Sequence, residues 1–324
     1  MPAPNIGLDQ ICQARDLLSK YFLPTRLQRA ASVSQISGGE VRLKIESELP
    51  TGSFKIRGAL YALAVNVNRR QIAKVVTAST GNHGAAVAYA ATLLGTDCTV
   101  FLPKHPNPTK RDRIADLGAK VIELGKDLTE AAAHAARYSQ QEHAYFLNDA
   151  TDEDLPAGPA TIACEILDQW CDIDTLVVPI GDTALIRGIA SAVRQLRPEI
   201  HIVGVQAQNA PAYYYSWAAK HIVQAESRPT IADGLASQIP VPENVDRICQ
   251  CVDDICLVSD EEMLGAIRHL ILRECVLSEP AGSAAVAALI YGKVRKPGMR
   301  ITAIVSGANI SPQVLHAIAT VCHS

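Results

Sequence analysis

Four short segments of this sequence carry residue types that ordinary packing does not call for. The first is Leu49-Pro-Thr-Gly-Ser-Phe-Lys-Ile-Arg-Gly58. Pro50 and Gly52 mark a turn, and Ser53 is placed to cap a helix running through Ile56 and Ala59. Lys55 then falls in the first helical turn, the wrong end of the helix dipole for a cation. Crowding by the dipole and by Arg57 would disfavour the charged amine. A free amine is what Schiff-base chemistry needs. The competing reading is a solvated surface lysine, the commonest state of this residue.

The second segment, Ala78-Ser-Thr-Gly-Asn-His-Gly84, follows an apolar run and opens an Ala-rich one. Small and polar residues at such a junction leave backbone N–H groups free at a helix start, a site sized for a carboxylate or phosphate. Asn82 and His83 could each add a contact; a helix start without a ligand is the alternative. The third, Val177-Val-Pro-Ile-Gly-Asp-Thr-Ala-Leu-Ile-Arg-Gly188, has the same plan, with Gly181 at the turn and a Thr183 hydroxyl at the helix start. Many α/β turns look like this one. The fourth is Val305-Ser-Gly-Ala-Asn309, where Ser306 ends an apolar strand, the place where open α/β sheets bind ligands.

The elements that must position these segments are legible as alternation. Strands are expected at Val41–Ile45, Val75–Thr77, Cys98–Leu102, Val121–Leu124, Leu176–Ile180, Ile202–Gln206 and Ile301–Val305. Helices are expected at Gly84–Leu94, Pro108–Leu117, Leu128–Ser139, Leu185–Leu196 and Asp260–Arg273. This pattern predicts α/β layers with parallel sheets, and the continuous apolar strands predict sheets covered on both faces. Residues 69–150 can close as a small domain, leaving 1–68 and 151–324 as a larger one, with a cleft between them as a ligand site.

Composition narrows the function classes. The 324 residues are 48% hydrophobic and 19% charged, with a net charge of -3. That excludes a disordered chain and offers no electrostatic drive toward nucleic acid or anionic membranes. No apolar run reaches the ~18 residues of a membrane span, and the first residues lack a secretory pattern. Nine scattered cysteines are expected to be reduced, mostly buried thiols of a cytoplasmic protein.

With these segments in this order, the chain resembles the fold-type II pyridoxal-phosphate enzymes. It is most similar to their threonine/serine dehydratase and serine racemase branch. The carriers are Lys44-Ile-Glu46, Thr51-Gly-Ser-Phe-Lys-Ile-Arg57, Ser79-Thr-Gly-Asn-His-Gly84, Ala232-Asp-Gly234, Ser278-Glu-Pro-Ala-Gly282 and Ser306-Gly-Ala-Asn309. Phe54 and Arg57 favour this branch over the cysteine-synthase branch. The resemblance implies two open-sheet domains, a homodimer, and pyridoxal 5'-phosphate held as an imine on Lys55. Phe54 would pack on the cofactor ring and Asn82 would bond its ring oxygen. Ser79, Thr80, Gly81, Asn82 and His83 would hold the substrate carboxylate. Gly181, Asp182, Thr183, Ala184 and Leu185 occupy the phosphate-loop position. Gly234 and Glu279 would line the site, and Ser306 would face the pyridine nitrogen. The implied reaction is dehydration and deamination of a 3-hydroxy amino acid, L-threonine or L-serine by default, to a 2-oxo acid and ammonia.

Three departures qualify the resemblance. Four consecutive glycines are usual in the phosphate loop; here Asp182, Thr183 and Ala184 follow Gly181, and the Thr183 hydroxyl could compensate for lost glycine. Altered loops suit unusual substrates, such as 3-hydroxyaspartate, phenylserine or a hydroxyectoine derivative. They also suit a non-catalytic cofactor binder. Gln206 and Ala212 stand where acids would bind a divalent metal, so no metal is expected there. Thr80 retains a hydroxyl where racemases of the family carry serine, which keeps racemisation as an alternative. The chain ends soon after Ser306, so no regulatory amino-acid-binding domain is expected.

Overall fold

The computed structural model of the chain describes residues 6–320 except 238, 296 and 297. Ten strands form two sheets among these residues. The larger sheet is built from β1 (Leu27–Arg29), β2 (Glu40–Ile45), β7 (Thr175–Pro179), β8 (His201–Ala207), β9 (Asp254–Val258) and β10 (Arg300–Val305). Its order is β1-β2-β10-β7-β8-β9. The smaller sheet has β3 (Lys74–Ala78), β4 (Asp97–Leu102), β5 (Lys120–Glu123) and β6 (Tyr145–Phe146), in the order β5-β4-β3-β6. All pairings are parallel except β1 with β2, which is antiparallel. The expected sheets of parallel strands are found, with one antiparallel pairing at that edge.

Alternate side chains of the large sheet feed different cores, as a period of two requires. Leu176, Val178 and Ile180 join the cluster under α7 (Ala157–Gln169) and α8 (Ala184–Leu196). Val177, Val203 and Val305 join the cluster under α11 (Asp260–His269) and α12 (Pro280–Ile290). Helices on both faces explain why these strands read as unbroken apolar runs. The small sheet is covered by α4 (Asn82–Leu94) on one face, where Val75, Val100 and Leu102 pack, and by α6 (Leu128–Gln141) on the other, where Val76 and Phe101 pack.

One helix, α3 (Lys55–Arg70), packs against both α4 and α7 and so belongs to the contact between the two layers. Gly158 makes its seat close: a Cβ there would overlap the Arg57 carbonyl. The helix starts at Lys55 with no side-chain cap, so Ser53 does not cap it. The reason is local. Ser53 bridges Gly307, Phe54 N–H donates to the Ser306 carbonyl at 3.0 Å, and Ala308 N–H donates to the Gly52 carbonyl at 2.9 Å. The strap before the helix is thus spent on tying to the end of β10. The cysteines also differ from expectation: Cys98 and Cys164 are buried, whereas Cys12, Cys171 and Cys275 are exposed. No helix among the described residues is long and apolar enough to cross a membrane.

Candidate active site

A cavity of about 650 Å³ lies at the C-terminal ends of β3, β7 and β10. Four helices open on it, α3, α4, α8 and α12, and none has a side-chain N-cap. Their first-turn N–H groups have no partner within the helix. Several uncapped N-termini around one space favour an anionic occupant.

Lys55 reaches into this cavity and pairs with Asp149. Arg57 does not crowd it. The Arg57 guanidinium turns the other way, donating to Glu46 at 2.7 Å and to Glu165 at 2.6 Å. Burial alone would raise the Asp149 carboxyl, but Lys55 first and His83 second hold it below the usual carboxylate range. His83 is buried, with Nε2 at 3.1 Å from the Leu147 carbonyl and Nδ1 at 3.6 Å from Asp149 Oδ1. A carbonyl only accepts, so Nε2 carries the proton of that bond. His83 Nδ1 and Asp149 Oδ1 are buried without a hydrogen-bond partner.

The other wall joins chain segments far apart in sequence. Asn82 Nδ2 donates to Glu279 Oε1 at 2.6 Å, and Asn309 Nδ2 donates to Asn82 Oδ1 at 2.5 Å. Glu279 is pushed up by burial. Asp182 is also pushed up, by burial and then by Asp149, and accepts from the Ser237 hydroxyl at 2.6 Å. Gly181 packs so tightly on the Gly234 carbonyl that no Cβ fits there. Thr183, at φ +70°, turns the chain into α8. Ser306 ends β10 on the same cavity, as do Phe54, Ser79, Thr80, Gly81, Ala184 and Leu185.

Sequence reasoning missed Asp149, Arg113, Lys110 and Ser237, which line the same space. Asp149 had one available signal: it follows β6 closely, at the C-terminal end of a parallel strand. A two-residue strand is too short to read. Arg113 donates to Asn309 and to the Thr51 carbonyl, and Lys110 pairs with Asp233; both bind the α5 helix (Pro108–Asp116) across to the large-sheet side.

The comparisons with known proteins bear on this geometry. A family model described as pyridoxal-phosphate dependent enzyme matches residues 18–307. The chain belongs to that family. An L-threonine ammonia-lyase of Thermotoga maritima is 34% identical over 97% of this chain and 78% of its own. A catabolic L-threonine dehydratase of Staphylococcus aureus is 33% identical over 94% of this chain and 89% of its own. Among solved structures, maize serine racemase superposes with a TM-score of 0.91 at 27% identity, covering 97% of this chain and 96% of its own.

The cofactor of the family is pyridoxal phosphate, and the residues present fit it. The cavity volume is within the range that takes a small ligand. Phe54, Pro179 and Ala281 offer apolar surface for a ring. Lys55 offers the amine, and the uncapped start of α8 offers N–H groups to a phosphate. Asp182 is the discordant group in the turn, and one of its oxygens is taken by the Ser237 hydroxyl. No group of three or more His, Cys, Asp or Glu among the described residues could hold a metal ion. In β8, Gln206 Oε1 accepts from the Tyr214 N–H at 2.9 Å.

Proposed function

We propose that this chain is an ammonia-lyase acting on a 3-hydroxy amino acid, with L-threonine the first substrate to test. The observation that carries the proposal is the Lys55 amine, held by Asp149 in a cavity ringed by uncapped helix starts. Relatives named for threonine cleavage, matched along nearly the whole chain, support it.

The bound cofactor supplies an electron sink that acidifies the substrate's α-carbon. The chain's residues do the rest. The loop Ser79–His83 binds the substrate carboxylate through its free amides and through Asn82. The Lys55 Nζ takes the α-proton, and Asp149 keeps that nitrogen in place and accepts its hydrogen bond. Ser306, a neutral hydroxyl lining the cavity, would face the ring nitrogen without supplying an acid proton there, which would favour prompt loss of the β-hydroxyl as water. Phe54 would pack on the ring, Glu279 fixes Asn82, and Gly234 keeps Gly181 seated. The Gly181–Leu185 turn would take the phosphate.

Two domains follow from this reading, 1–68 with 151–324 and 69–150. The four strands of the small sheet all fall between residues 74 and 146, which supports that division. Closure of the smaller domain on substrate would exclude water. A cytoplasmic homodimer is the expected assembly, since two-fold dimers are the commonest soluble form; sedimentation checks it.

The test is to add L-threonine to the reconstituted protein and follow 2-oxobutyrate and ammonia, with L-serine and pyruvate in parallel. Absence of both oxo acids, with the protein yellow, sends the search to other hydroxy amino acids. A second reading rests on Thr80, whose hydroxyl lines the cavity, and on the likeness to maize serine racemase. Chiral chromatography of serine after incubation decides it.

A further inference from the structure

Arg187 is the buried charge that the proposed reaction leaves unused. It lies one turn into α8, only 4% exposed. Its Nε donates to Thr183 Oγ1 at 2.9 Å and its Nη2 to the Ala150 carbonyl at 3.4 Å. Both acceptors are neutral. Among the described residues no carboxylate lies within ion-pair distance of it. Burial, the largest influence, pulls Arg187 down to about 10. Asp149 acts on it only from beyond ion-pair distance. An enclosed cation with no carboxylate in contact is costly to hold, and an anion nearby would relieve that cost.

Thr183 supplies a second, independent observation. It sits at φ +70°, the only β-branched residue among the described non-glycine residues with positive φ. Such a residue is a true outlier in that region, and strain of this kind collects at ligand clamps. Its hydroxyl oxygen already accepts the Arg187 proton. A hydroxyl has one proton of its own to donate, and no acceptor for it is found among the described residues. Thr183 itself is 2% exposed and lines the cavity. The free donor therefore belongs to whatever occupies the cavity beside the uncapped start of α8.

We propose that Arg187 is a positioning residue for the cofactor's phosphate: from behind the turn it holds the Thr183 hydroxyl with its proton toward the cavity, and it supplies the fixed positive charge that Asp182 would otherwise offset. The proposal rests on the assignment of residues 181–185 to the phosphate. It explains how a turn with one glycine in place of a glycine run still suits a dianion. Thr183 gives a charge-assisted hydrogen bond, and Arg187 gives field without touching the ligand.

The test compares two ligands on the full chain: pyridoxal phosphate, and pyridoxal, which has the same ring and aldehyde but no phosphate. Dissociation constants are read from the absorbance of the apoprotein during titration. Wild type should prefer the phosphorylated form strongly. Arg187→Met and Thr183→Val should each lose about 10- to 100-fold of that preference, the worth of a hydrogen bond to a charged group, with pyridoxal binding unchanged. Thr183→Ser should keep the preference, and Arg187→Lys should keep part of it. The two losses should not add, because both remove one arrangement. The 31P resonance of the bound cofactor should move in Arg187→Lys, which gives a readout independent of turnover and survives if the methionine variant does not fold. Equal loss for both ligands makes Arg187 a scaffold residue and overturns the proposal; so does an unaltered preference in the variants. A wild type with no preference for the phosphorylated ligand has a different meaning: it removes the assignment of residues 181–185, and the proposal with it.

Discussion

Two charged clusters flank the first turn of α3, two residues apart in sequence, and they are finished to different degrees. On one side, Arg57, Lys44, Glu46 and Glu165 form a closed set. Arg57 donates to both carboxylates and to Thr161, and Lys44 donates to Glu165 at 2.6 Å, to the Thr25 carbonyl at 2.8 Å and to Gln169 at 3.1 Å. Two cations meet two anions, and no side-chain polar atom of the four is left buried and unpartnered. On the other side, Lys55 meets Asp149, but Asp149 Oδ1 and His83 Nδ1 have no hydrogen-bond partner, and Arg187 has no carboxylate in contact. A completed network specifies a fold. An incomplete one, walled by helix starts, is completed by a ligand. The same helix thus carries a closed ion-pair network at Arg57 and an open, cavity-facing pair at Lys55.

This division is broken most directly by exchanging the two roles. Lys55→Ala should cost about 10³-fold or more in activity, with no visible absorbance and no label after borohydride reduction, while the unfolding midpoint stays near that of wild-type apoprotein. Arg57→Met should do the reverse in the apoprotein. It leaves Glu46 and Glu165 buried without their cation, a loss of roughly 3–5 kcal/mol, measured by urea unfolding. If Lys55→Ala destabilised the fold as much as Arg57→Met, the two clusters would not be separate in function. Asp149→Asn sharpens the comparison from within the site. Turnover should fall about 10²-fold, because the Lys55 nitrogen loses its charged acceptor, and urea stability should change little. A large loss of stability with turnover retained would place Asp149 with the anchor instead.

The anchor and Lys55 were readable in the sequence for different reasons. Strands β2, β3, β4, β7, β8 and β10 were legible because both faces are buried, so each reads as an apolar run. The shorter β1 and β6 carry two or three residues and too little pattern to register. Strand β9 was missed because Asp254-Ile-Cys-Leu-Val258 is half-buried at the sheet edge. Lys55 stood out because a cation opening a helix conflicts with local electrostatics, and such conflicts concentrate at functional sites. Asp149 and Arg187 could not be found that way. An acid after a short strand and an arginine inside a helix are ordinary locally. They became visible only when the fold placed one against an amine and enclosed the other with no carboxylate in contact. The failure of Ser53 as a cap has the same origin, since its backbone is taken by a partner 254 residues later.

The smallest expected effect is also the one that separates the clusters by sign. Asp182 has its folded value raised by burial and by Asp149, so it binds a proton more readily folded than unfolded. Its cost to the apoprotein is therefore absent below the unfolded value of about 3.9 and grows as pH rises toward the folded value. Asp182→Asn should then raise the melting temperature at neutral pH, with the gain vanishing in acid. Glu165 is the opposite case. Burial raises it, but Arg57 and then Lys44 prevail and hold it below the usual range. Its stabilisation is full above about pH 4.3 and is lost as pH falls through the folded value. Glu165→Gln should lower the melting temperature at neutral pH, with the deficit vanishing in acid. Melting curves of the two apoprotein variants across that range should thus diverge from wild type in opposite directions as pH rises. Curves that moved together would mean that Asp182 is already partnered as fully as Glu165, and the contrast between an open and a closed cluster would fail at that residue.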